Sequence, residues 1–206
     1  MADLFALSLR ELDALRETAN IGAGHAATAL SQMTHSAIMI SVPTVTIAAL
    51  EEIPPQVSES EEPVAAVLMR MTGDLTGRTL LLLPHSTALR LAQLMLRREG
   101  PHADHFSELE ESALKEAGNI LSGAYMNALS DFMGLLLLPS PPSFAVDMSA
   151  AVLTSAYLEF GAERDVVFAV ETQFYLQEHR ERLRGFFLLM PDQSSLDALL
   201  RAMRIA

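Results

Sequence analysis

Two sets of residues in this chain could do chemistry, and they have nearly the same composition. Asp13, Glu17, Asn20 and Gly24 form one set, and Ser112, Glu116, Asn119 and Gly123 form the other, each 99 positions further on. A carboxylate can pair with a cation on another molecule. A carboxamide donates and accepts hydrogen bonds without adding charge, which suits it to holding a water molecule. An exposed Glu on a helix is usually solvent decoration. Asn is a mediocre helix former, and Gly inside a helix costs about 1 kcal/mol relative to Ala. Accepting both at matching places points to a bare surface that another molecule approaches closely.

The elements that must position these residues are legible from their flanks. Ser8-Leu-Arg-Glu11 and Ser107-Glu-Leu-Glu110 are both capping boxes, in which two side chains satisfy free backbone N–H groups at a helix start. They predict long helices over about 8–33 and 107–131. At about 100° per residue, Leu12, Leu15, Ala19, Ala23, Ala26, Leu30 and Met33 share the core face of the first helix, about 140° from the Glu-Asn stripe. Leu114, Gly118, Leu121, Tyr125, Leu129 and Phe132 form the core face of the second.

The 99-residue offset also relates Asn20-Ile21 to Asn119-Ile120, Ala29-Leu30 to Ala128-Leu129, and Pro43 to Pro142. Later, Leu81–Pro84 matches Leu188–Pro191 at an offset of 107. A series at one offset reads as an internal duplication, with extra residues in a longer hairpin around Gly161–Arg164. Each half then reads as helix, strands, helix. Strands are expected at 36–48, 64–74 and 77–84, then at 135–146, 151–176 (whole or split) and 183–190. Closing helices are expected at 86–98 and 193–204, a loop at 51–63 and a linker at 100–106. The expected fold is α+β: pseudo-twofold helix–strands–helix units around an antiparallel-rich sheet, forming one domain over 1–206 from repeats of about 1–99 and 106–206.

Composition bounds the function. The chain has 206 residues, half of them hydrophobic, no cysteine and a net charge of −12. Disulfides and thiol catalysis are excluded. Nucleic acid and anionic membranes would be repelled. The apolar runs Leu80–Leu83 and Leu135–Leu138 are far shorter than the ~20 residues needed to cross a bilayer, so membrane insertion is not expected. No basic start precedes a hydrophobic stretch, which predicts a cytoplasmic protein. The acidic balance fits either a partner with basic residues around its site or ordinary solubility.

At the two motif helices the sequence resembles the CheC/CheX/FliY phosphatase family. That family's motif has Asp or Ser, three residues, Glu, two residues, Asn, twenty-two residues, then Pro. Asp13, Glu17, Asn20 and Pro43 satisfy it, and Ser112, Glu116, Asn119 and Pro142 satisfy it again. Asn20-Ile-Gly-Ala-Gly24 and Asn119-Ile-Leu-Ser-Gly123 look like the family's flanking text. Two full motifs and no appended domain fit the CheC branch. Departures are Thr18-Ala19, where Gly is common, and His25, where Asn is common.

The resemblance implies a hydrolase that dephosphorylates the aspartyl phosphate of a CheY-like response regulator. It implies catalytic roles for Asn20 and Asn119 in positioning water and for Glu17 and Glu116 in pairing with the regulator's lysine. Asp13, Gly24, Ser112 and Gly123 would contact the partner, and Pro43 and Pro142 would be scaffold. Mg²⁺ is expected on the regulator, with no cofactor or metal on this chain. A second implied partner is the receptor deamidase CheD. The rival is a non-catalytic adaptor holding phosphorylated CheY and CheD.

Two weaker motifs fall away. Gly22-Ala-Gly24-His-Ala-Ala27 superficially matches a dinucleotide fingerprint, but its glycines fall mid-helix instead of after a strand. His102-Ala-Asp104-His105 lacks a third metal ligand in view. The methionines, Met33, Met69, Met71, Met95, Met126 and Met133 among them, read as core filler.

Overall fold

The fold was obtained as a computed structural model, and it describes residues 8–49, 52–53, 63–98, 105–158, 166–176, 180–192, 194–195, 198–199 and 201. Helix α1 spans Leu9–Thr34 and helix α3 spans Glu108–Met133. Both capping boxes form. Glu11 Oε2 accepts the Ser8 N–H at 2.7 Å and Ser8 Oγ accepts the Glu11 N–H at 3.3 Å. Around Ser107 and Glu110 the same two bonds measure 2.8 and 3.4 Å. Each helix ends on a left-handed residue, His35 for α1 and Gly134 for α3.

Among the described residues eight strands form one antiparallel sheet. They are β1 (Ile38–Ile40), β2 (Thr44–Ala49), β3 (Pro63–Gly73), β4 (Gly77–Pro84), β5 (Leu137–Pro139), β6 (Ser143–Met148), β7 (Val166–Leu176) and β8 (Glu181–Pro191). The order is β1-β7-β8-β4-β3-β5, with β2 also on β7 and β6 also on β3. The order therefore reads the same from either edge under the exchange of β1–β4 with β5–β8. The early ribbon β1/β2 pairs with the late hairpin β7/β8, with Val45 opposite Val170. The later ribbon β5/β6 pairs with the early hairpin β3/β4, with Val146 opposite Ala65.

Each expected strand at 36–48 and 135–146 is in fact two strands. The interruptions hold Pro43 and Pro141-Pro142, whose rings fix φ and remove ladder donors. The hairpin expected around Gly161–Arg164 lies outside the described residues. So do the linker residues 100–104 and most of the loop 51–63. The expected strand start at 151 is overturned. Ser149–Leu158 is helix α4, and among the described residues of that stretch the strand is Val166–Leu176. Ala150, Ala151 and Ala156 are the strongest helix formers, and Val152, Leu153 and Ala156 fall on one helical side and are buried.

The sheet is covered on both faces. Leu81 and Leu83 of β4 pack toward α1, α3 and helix α2 (His85–Leu96), while Leu80 and Leu82 face the α4 side. Such two-sided burial is why β4 reads as an unbroken apolar run. Of the core face expected for α1, Leu15, Ala19, Ala23, Ala26 and Leu30 are buried, whereas Met33 is 40% exposed. The stripe continues from Leu30 to Thr34 by a step of four. Thr34 is buried with its hydroxyl donated to the Leu30 carbonyl at 2.8 Å.

Helices α1 and α3 touch where Gly22 lies against Tyr125. A Cβ at Gly22 would stand 2.8 Å from Tyr125 Cδ1 and 3.1 Å from its Cα. The Tyr125 ring stacks on Phe187 with centroids 4.6 Å apart, and its hydroxyl meets Thr172 Oγ1 at 3.0 Å. Burial raises the phenol pKa, and the Thr172 hydrogen bond offsets part of that rise, so Tyr125 stays neutral.

Past β8, Ser194, Ser195, Ala198, Leu199 and Arg201 are helical, the described part of the expected closing helix. Asp192 caps it, accepting the Ser195 N–H at 2.9 Å and the Ser194 hydroxyl at 2.9 Å, and Thr76 also donates to it. Partial burial works to raise the Asp192 pKa, but these hydrogen bonds outweigh it and the net shift is downward.

Two stability results follow. Gly22→Ala should destabilise the protein by about 1–3 kcal/mol through overpacking, while Gly24→Ala, where a Cβ meets nothing within 4 Å, should stabilise it by about 1 kcal/mol. Urea melts of the two variants check the contrast. Asp192→Ala should remove about 1 kcal/mol at neutral pH. Because the Asp192 pKa is lower folded than unfolded, its contribution is complete above about pH 4 and disappears as the pH falls through the folded value. Melts of wild type and variant should therefore converge in acid.

Candidate functional site

The two motif helices reach the surface in the same way. On α1, Asp13, Glu17, Asn20 and Gly24 are exposed, while their neighbours Thr18, Ala19, Gly22 and Ala23 are buried. On α3, Ser112, Glu116 and Asn119 are exposed and Gly123 is half-buried, while Ala117, Gly118, Leu121 and Ser122 are buried. Each carboxylate and carboxamide pair is three residues apart, about 4.5 Å along the helix axis and on nearly the same side. Packing directly beneath them holds the backbone still. A Cβ on Gly118 would stand 2.5 Å from Val67 Cγ1 of β3, so α3 lies against the sheet there. Thr79 donates to Ser122 at 3.2 Å in the same buried layer.

Gly24 and Gly123 have no internal reason to be glycine, since a Cβ at either would meet nothing within 4 Å. Their φ angles are not in the left-handed region either. What the missing side chain provides is clearance above the helix, one turn past the Asn. Pro43 is buried and Pro142 half-buried, both in the bends between consecutive edge strands. They contribute to the path of the backbone and present no functional group.

The structure adds residues that the sequence reading missed. Arg16 and Lys115 sit one position before Glu17 and Glu116, also 99 residues apart. Arg16 pairs with Asp13 at 3.3 Å, whereas Ser112 cannot accept such a charge and Lys115 lies 3.9 Å from Glu111. Both pairs are substantially solvent-exposed, so they shape the local field more than the stability. Ile21 is 46% exposed beside Asn20, and Ile120 is half-buried beside Asn119. Leu109 is 52% exposed one turn before Ser112. The 99-residue offset pairs Arg16 with Lys115 as it pairs Ile21 with Ile120, whereas Leu109 falls opposite Arg10 and follows no repeat.

No group of three or more metal-ligating side chains occurs among the described residues. The linker motif at 102–105 lies outside them except for His105, which is exposed. Gly22 and Gly24 fall inside α1, with helix on both sides. No helix among the described residues is long and apolar enough to cross a membrane.

This geometry has close relatives. The pattern of the CheC-like family matches residues 11–47 and 109–146, the two motif helices with their following strands. The chain is 32% identical to the CheY-P phosphatase CheC of Bacillus subtilis (strain 168) over 195 residues, which cover 94% of this chain and 93% of that protein. The crystal structure of Thermotoga maritima FliY superposes with a TM-score of 0.78 at 22% identity, covering 97% of this chain and 98% of that one. CheX in the CheX–CheY–BeF3–Mg²⁺ complex from Borrelia burgdorferi gives a TM-score of 0.51 at 18% identity, over 84% and 96% of the two chains. With near-complete coverage at that identity and both motif helices matched, the chain belongs to the CheC-like family.

Proposed function

We propose that this protein dephosphorylates the aspartyl phosphate of a CheY-like response regulator, using each motif helix as a separate site. The observation that carries this reading is the doubled outward stripe: Glu17 with Asn20 and Glu116 with Asn119, each beside a glycine with open space above it. The similarity to a CheY-P phosphatase over nearly the full chain supports the substrate class. The fold shared with a CheX–CheY complex is consistent with such a partner.

An aspartyl phosphate is a mixed anhydride and hydrolyses unaided. The regulator carries its own Mg²⁺ together with its lysine and hydroxyl residues. What a partner must add is an in-line water and exclusion of bulk solvent. Asn20 or Asn119 holds that water, accepting from it and donating to a phosphoryl oxygen without changing the charge. Glu17 or Glu116 pairs with the regulator's lysine and fixes the docking angle. Asp13 and Ser112 contact the partner, and Gly24 and Gly123 admit its loops. No step calls for a metal or cofactor held by this chain.

A CheD-type deamidase is a second proposed partner. Met39 on β1 and Leu138 on β5, exposed apolar side chains at opposite edges of the sheet, are two candidate contacts for it. A purely adaptor role would leave the phosphoryl group shielded and its lifetime extended.

Asn20→Ala combined with Asn119→Ala should reduce dephosphorylation by about 10²-fold or more with an unchanged melting curve. Phosphate release by a double variant at the wild-type rate contradicts the mechanism. Substoichiometric wild-type protein should turn over many equivalents of phosphorylated regulator; a stoichiometric plateau instead identifies an adaptor. Gly24→Leu with Gly123→Leu should lower activity through steric exclusion while leaving the far-UV circular dichroism intact.

A further inference from the structure

At the end of the fold away from the motif stripes, a cleft of about 390 Å³ opens between the C-termini of α1 and α2. His35, Ser36, Arg90, Leu94, Arg97 and Arg98 line much of it. This is an unusual gathering of positive charge on a chain of net charge −12. Arg90 is held by Glu181 at 2.7 Å. Arg97 and Arg98 are exposed, and among the described residues their guanidinium groups make no ion pair.

The ordinary explanation for cations at a helix C-terminus is capping. Here the backbone already does that work. The N–H groups of Arg97 and Arg98 close on the carbonyls of Leu94 and Gln93 at 3.2 and 3.0 Å, which leaves both side chains available. Backbone conformation adds an independent observation. Three non-glycine residues among those described have positive φ: His35 (52°), Arg97 (52°) and Arg180 (53°). Two of them line this cleft, and the third precedes the Glu181 that anchors Arg90. At the corresponding end of α3 the left-handed cap is Gly134, which meets the same backbone demand without the steric penalty. The ends of α1 and α2 instead carry an imidazole and a guanidinium in strained positions, a pattern associated with function.

We propose that this cleft is a binding site for one compact, multivalent oxyanion of the phosphate or pyrophosphate class. Two unpaired guanidinium groups beside a third that is fixed by a carboxylate match such a ligand. Among the described residues no Phe, Tyr or Trp lines the cleft to sandwich a nucleobase. One site per chain is expected, because the position matching Arg90 at the offset of 107 is Asp197, a carboxylate in place of the anchoring cation. It is also separate from the phosphatase reading: Asn20 and His35 are 15 residues apart, about 22 Å along α1.

Isothermal titration calorimetry of the full chain with pyrophosphate, orthophosphate, sulfate and hexaglutamate tests this. Pyrophosphate should bind with a stoichiometry of one, and Arg97→Gly with Arg98→Ser should weaken it at least tenfold. Asn20→Ala with Asn119→Ala should bind it like wild type. Arg97→Gly alone relieves a left-handed side chain, so its Tm should rise by about 2 °C while the affinity falls. Absence of binding, a stoichiometry of two, binding of hexaglutamate alone, or an arginine variant that keeps wild-type affinity overturns the assignment.

Discussion

The structure depends on the close contact of α1 with α3 where Gly22 lies against Tyr125. Only a missing side chain allows that approach, and the Tyr125 ring, stacked on Phe187 and hydrogen-bonded to Thr172, ties the contact to the sheet below. Once the apolar stripes of both helices are fixed inward, helix geometry alone turns Glu17, Asn20, Glu116 and Asn119 outward. The polar residues need no hydrogen-bond network of their own to be presented. Their placement follows from what is buried beneath them.

The sheet makes that presentation cooperative. Each early ribbon pairs with the hairpin of the other half, so β2 cannot leave without exposing β7, nor β6 without exposing β3. Hydrophobic clusters on both faces then load the same strands from two sides. We read this interlocking as one folding unit built from a duplicated helix–strands–helix element. Neither half carries its own sheet independently, which fits the modest core that half a chain could bury. A rigid support suits a surface whose proposed task is to hold one water in line.

Much of this was legible in the sequence because it rests on local rules. The capping boxes at Ser8 and Ser107 set both helix starts, and the period of apolar residues separated the core face from the Glu-Asn stripe. The run Leu80–Leu83 fitted a buried strand, and its burial on both faces came from the structure. Legibility ended where tertiary context decides. The exchange of ribbons between halves has no local signature, since either hairpin could accept either ribbon. Ser149–Leu158 mixes alanines with Val, Leu and Thr, and burial of Val152, Leu153 and Ala156 against the sheet resolves it as helix. Met33 lost its expected place because the stripe moved on by four residues to Thr34. The arginine cleft joins the ends of two helices that are distant in sequence, so no spacing could reveal it.

The central claim concerns where an activated regulator docks, and its most direct measurement is an NMR titration of the isotopically labelled chain. With a CheY-like regulator activated by beryllofluoride and Mg²⁺, the side-chain amide signals of Asn20 and Asn119 should shift together with the backbone signals of Glu17, Gly24, Glu116 and Gly123. Shifts confined to α4 and the sheet edges, with both Asn side chains unmoved, would contradict the account.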